Sequence, residues 1–97
     1  MKIIAIEKEI KGVSDSQFTK SILKDEAEQA WQFYQQGYFR EMYFTRGTNL
    51  AVIILECDGI LEASRILNQL PLVKEGLIDF EINELLPYNG FERLFTH

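Results

Sequence analysis

The sequence predicts a single α+β domain spanning residues 1–97, with element order βαββαβ. This is the ferredoxin-like arrangement: a four-stranded antiparallel sheet with two helices on one face. Three observations carry the prediction. Residues 3–6 and 50–55 are continuously apolar and rich in β-branched side chains, which is how strands covered on both faces read. Residues 38–46 and 78–83 mix apolar with polar side chains, and two intervening stretches repeat apolar residues at helical spacing. The spatial order 4-1-3-2 puts the continuous runs inside the sheet and the mixed runs at its edges.

The first strand, within residues 2–10, is therefore central. A turn through Gly12 follows, with Ser14 or Asp15 available to cap the next helix. In that helix Leu23, Ala27, Ala30, Trp31 and Tyr34 form one apolar face, and Gly37 stands where a left-handed residue would end it. Phe18 and Ile22 fall out of phase, which suggests a separate first piece. Strict alternation along residues 38–46 puts Tyr38, Arg40, Met42, Phe44 and Arg46 on one face. Phe39, Glu41, Tyr43 and Thr45 then occupy the other. Residues 47–49 connect to the second buried strand, and Asp58 can cap a helix whose stripe is Ile60, Ala63, Ile66, Leu67 and Leu70. Pro71 pushes Leu70 out of the helical region and ends it, and Gly76 frees the turn into the last strand. There Ile78, Phe80 and Ile82 alternate with Asp79, Glu81 and Asn83.

Two helices cover one sheet face, yet the strands carry apolar side chains on both. The expected solution is a homodimer whose sheets face each other as a barrel, since isologous pairs are the commonest closed assembly. The last ten residues contain a turn at Asn89-Gly90 followed by Phe91, Leu94 and Phe95. Such an apolar tail is expected to dock on a neighbouring subunit or over the barrel mouth.

Composition narrows the functional classes. With a net charge of -5, pI near 4.8 and no basic stripe, nucleic acid is not expected as a partner. No segment approaches a membrane span, and the opening apolar run, stopped by Glu7, is unlike a secretory signal. With a single cysteine, Cys57, a cytoplasmic location is expected. The one histidine, His97, leaves no metal-ligand spacing, so neither a metal nor another cofactor is expected, and Cys57 reads as a packing thiol. Carboxylates, arginines and tyrosines remain, enough for proton transfer beside a carbonyl.

The run Leu67, Gln69, Leu70, Pro71, Leu72, followed by Ile78, Glu81 and Ile82, resembles the muconolactone isomerase-like proteins of the dimeric α+β barrel superfamily. In pattern the resemblance covers residues 23–88. It implies a pocket in each subunit and a cofactor-free shift of a proton within an unsaturated lactone. Asp25, Glu26 and Glu28 match the family's acidic run on the first helix, and Gly37, Phe39 and Arg40 its glycine, aromatic, arginine pattern. Tyr43 stands at its second aromatic position. The chain departs from the family at Leu23, where the family has lysine, at Glu41 for a histidine and at Phe44 for an arginine. Lys24 lies one step away, about 100° around the helix. The departures point to a small organic ligand other than muconolactone.

Within that resemblance the expected substrate is a small oxygenated, anionic organic acid or lactone, with Glu26 as the proton-transfer group, Arg40 as the anion binder, and Glu41, Tyr43 and Trp31 as further ligand contacts. Each has a plainer reading. Glu26 can be a solvated helix carboxylate, Arg40 an interface ion pair, and Tyr43, Trp31 and Tyr34 packing residues. Glu7, Glu9, Asp79 and Glu81 are read as an acidic cluster or a solvated edge. An alternative to catalysis is a non-catalytic small-molecule-binding or assembly domain, since one fold hosts many functions.

Overall fold

The computed structural model describes residues 1–96, so the lone histidine, His97, lies outside it. The strands are β1 (Lys2–Glu9), β2 (Phe39–Phe44), β3 (Ala51–Glu56) and β4 (Ile78–Leu85). The helices are α1 (Lys20–Gln35), α2 (Ile60–Leu67) and a short α3 (Pro71–Lys74), and 3-10 turns lie at Asp15–Gln17 and Gly90–Phe95. The sheet runs β2-β3-β1-β4, all antiparallel, so the two continuous apolar runs are interior and the mixed ones are edges, as their patterns require. Ile3, Ala5, Ile53, Leu55, Ile78 and Phe80 point to the helix layer and are buried there with Phe33, Ala63, Ile66, Leu67 and Leu70.

Strand β2 does not alternate as expected. Phe39 pairs with Leu55, but Glu41 pairs with Ile54, so Arg40 is an extra residue in a β-bulge. The bulge returns Phe39, Met42 and Phe44 to the same, helix-covered face, because Met42 and Phe44 sit opposite Ile53 and Ala51. Phe39 is fully buried under Phe33, with ring centroids 5.2 Å apart. Glu41 and Tyr43 face the other way, opposite Ile54 and Val52.

Helix α1 is also rotated from the expected stripe. Its packed face is Ile22, Ala30 and Phe33, with only Phe33 buried, while Leu23, Trp31 and Tyr34 stay exposed. Trp31 and Tyr34 stack on each other instead, 5.7 Å between centroids. The phase follows the residue that interlocks with Phe39, and the outer ridge is left uncovered. Thr19, not Ser14 or Asp15, caps α1 by accepting from the Ile22 amide at 3.2 Å. Ser14 belongs to the preceding 3-10 turn, where its amide donates to Gln17 Oε1. Gly37, at φ +86°, follows the helix end in the left-handed conformation. Helix α2 starts from Gly59 with no side-chain cap, so Asp58 does not fill the role expected of it.

Pro71 both follows the end of α2 and opens α3 as its first residue, where a missing N–H costs nothing. The face of the sheet away from the helices carries Ile4, Ile6, Val52 and Ile54 at its centre, none fully buried, framed by Lys8, Asp79 and Glu81. The acidic residues of β1 and β4 therefore form no single cluster. Glu7 and Glu9 share the helix-covered face with Ile78 and Phe80, whereas Asp79 and Glu81 lie on the open one.

Candidate functional site

Between α1 and the sheet lies a mostly apolar cavity of about 400 Å³. Ala27, Ala30 and Trp31 of α1 form one wall, and Met42, Tyr43 and Phe44 of β2 another. Ile53 and Ile78 line it from the sheet, and Leu72 closes it from α3. The ionisable side chains of the helix-covered face that line it are Glu26 and Glu7. The volume falls within the range of small-molecule sites.

Glu26 is half-buried in the middle of α1, and its Oε1 accepts from the Leu72 amide at 2.9 Å. Leu72 follows Pro71 at the start of α3, so its N–H is the first of that turn needing a partner, and Glu26 supplies it across the domain. Among the described residues Oε2 has no hydrogen-bond partner, yet no side-chain oxygen there is both fully buried and unpaired. Oε2 is thus accessible. Desolvation raises the Glu26 pKa above the usual carboxylate value, the Leu72 N–H opposes this, and the nearby charge of Glu7 adds to it. Glu7 is held in the same way, its Oε1 accepting from the Ala51 amide at 2.9 Å. The result is a pair of carboxylates, each anchored by one backbone N–H at the edge of an apolar hollow.

Of the residues singled out from the sequence, the structure brings Glu26 and Trp31 to one cavity, and Tyr43 borders it from β2 at a position that faces the open side of the sheet. It does not bring Arg40 or Glu41 there. The Arg40 side chain turns back to the end of α1, its Nε donating to the Gly37 carbonyl at 2.6 Å, because the bulge points it away from Met42 and Phe44. Glu41 accepts the Tyr43 hydroxyl at 2.6 Å on the open face, and that bond, with the charge of Glu41, raises the Tyr43 pKa. Glu7 was not anticipated as a site residue. The signal was its phase, since it continues the inward series Ile3 and Ala5 and is the first charged residue to do so.

A second, more polar hollow of about 370 Å³ shares Glu7 and Ile78 and is lined by Glu9, Asp15 and Asn49. Among the described residues no group of three or more His, Cys, Asp or Glu side chains is placed to hold a metal ion, and no helix is long and apolar enough to cross a membrane.

The fold and the cavity between its helix layer and sheet define an α+β protein of the ferredoxin-like class. Its architecture is that of muconolactone isomerase: the crystal structure of that enzyme superimposes with a TM-score of 0.71, covering 92% of each chain at 17% sequence identity. No protein-family model matches the chain, and no curated protein matches it by sequence. At that identity the likeness establishes the fold.

Proposed function

We propose that the protein is a cofactor-free isomerase-like enzyme in which Glu26 moves a proton within a small, uncharged, carbonyl-bearing molecule such as an unsaturated lactone. One observation carries this reading: a half-buried carboxyl with a raised pKa and one free oxygen faces an apolar hollow of ligand size. A carboxylate so perturbed is a stronger base than one in water and, once protonated, returns the proton to the substrate. In the proposed step Glu26 Oε2 takes the proton from the carbon beside the carbonyl, the electron pair delocalises into an enolate, and the same proton is delivered two carbons further on. The Leu72 amide fixes the direction of Oε2 throughout. Trp31 and Met42 serve as walls. An uncharged substrate is preferred because Glu7 and Glu26 repel an anion and Arg40 does not line the cavity.

The test is solvent-deuterium exchange into a panel of unsaturated lactones and cyclic enones, followed by NMR. Glu26→Gln should slow exchange by about 10²-fold or more, the scale of lost acid–base catalysis, while thermal-shift binding stays within a few-fold. Equal exchange by the variant would end the catalytic reading. The bond from Glu26 to Leu72 favours a second reading, in which the carboxylate is structural and the cavity only binds. Binding without exchange in the parent protein would establish that one.

The same proposal includes a homodimer. The apolar centre of the uncovered sheet face, Ile4, Ile6, Val52 and Ile54 within a charged rim, suits an isologous contact of about 800 Å² per subunit. Sedimentation as a monomer at micromolar concentration would exclude it.

A further inference from the structure

We infer that the C-terminal arm of one copy covers the cavity mouth of a second copy, so that each site is completed in trans. The inference rests on the self-association put forward above but not on the catalytic role of Glu26.

Among the described residues, two apolar surfaces other than the open sheet face lack a partner. One is the mouth of the cavity, where Trp31 is 57% exposed and Phe44 71%. The other is the arm after β4, in which Phe91, Leu94 and Phe95 are 68%, 76% and 78% exposed. The arm is not a loose strand. The Tyr88 ring lies over Gly90, where a Cβ would clash with its hydroxyl, and it meets Phe91 edge-on with centroids 5.0 Å apart. A locally folded turn that presents three large apolar side chains outward has the form of a docking element.

The arm is badly placed to serve its own cavity. Ile78 lines that cavity at the start of β4, whereas Leu85, at the far end of the strand, pairs with Lys2. Eight residues of strand separate the two ends by about 25 Å. The arm also leaves from the edge opposite β2, whose Met42 and Phe44 form the mouth. It projects outward: the radius of gyration is 15.9 Å and the longest dimension 59 Å, against a radius of roughly 12–13 Å for a compact chain of this length. Each copy therefore offers one arm and one mouth, and reciprocal exchange in a closed assembly satisfies both at once.

Trp31 is the only tryptophan, so its fluorescence reports on the mouth. The experiment measures acrylamide quenching of Trp31 in the full chain and in Leu94→Ser/Phe95→Ser, with sedimentation of both. Shielding in the full chain and at least a twofold rise in the quenching constant in the variant are expected. Mixing the variant with an excess of full-length Trp31→Phe protein, itself silent, should restore shielding, because the intact arm then comes from another copy. A dimer in which Trp31 quenches equally with and without the substitutions would overturn the inference while leaving self-association standing. A monomer with shielded Trp31, or shielding that mixing fails to restore, would show the arm acting on its own subunit and overturn it as well.

Discussion

Glu26 does two things at once, and replacing it in two ways separates them. Glu26→Ala removes the acceptor of the Leu72 amide at the start of α3. Loss of such a cap costs about 1 kcal/mol, which in a domain of this size lowers Tm by roughly 4–8 °C. Glu26→Gln keeps an acceptor oxygen in place and removes only the charge. Because the folded-state pKa is raised above the unfolded value, the folded state holds the proton more tightly, and stability falls as pH rises from the unfolded pKa through the folded one. The parent and Glu26→Gln should thus melt together near about pH 4, where the carboxyl is protonated in the folded state. The variant should gain on the parent as pH rises, up to the folded pKa, and the gap should then stay constant. Other carboxylates titrate in the same range but cancel in the difference. Thermal unfolding followed by circular dichroism across this range is the assay. A difference that is flat with pH, or that favours the parent at high pH, would refute burial as the dominant influence on this carboxyl. Glu26→Ala melting with Glu26→Gln would show that the α3 amide does not depend on the cap.

The other expectations concern packing, backbone and assembly. Phe39→Ala removes a fully buried ring packed against Phe33 and should cost about 3–5 kcal/mol, read as a fall in the urea midpoint with little change in slope. Gly37→Ala forces a Cβ into φ +86° at the end of α1 and should cost on the order of 1 kcal/mol; a variant as stable as the parent would contradict the left-handed cap. Ile54→Lys puts a charge at the centre of the uncovered sheet face and should convert the proposed dimer to monomer in sedimentation velocity while the far-ultraviolet spectrum is retained.

The fold was legible because sheet position is written in hydrophobic patterning. A strand covered on both faces needs apolar residues at every position, and only residues 3–6 and 50–55 provide them. The site was less legible because it depends on phase, and two local events shift phase without marking the sequence. The bulge at Arg40 inserts one residue into β2, which brings Met42 and Phe44 to the face of Phe39 and turns Arg40 away. In α1 the face with the most apolar residues is not the one that packs, because Phe33, its one buried residue, packs on Phe39 and sets the rotation. Both shifts have the same consequence. Trp31, which the pattern puts on the packed face of its helix, instead rims an opening with Phe44, and the positions that face inward beside them include Glu26 and Glu7. A charged residue in the inward phase of a central strand breaks the pattern that defines the strand. Glu7 breaks it on the helix-covered face, opposite the buried Phe80, and there the Ala51 amide holds its carboxylate. The departure from the folding pattern therefore lies where the cavity is, as expected of a chain that gives up some core packing to keep a polar group beside an apolar hollow.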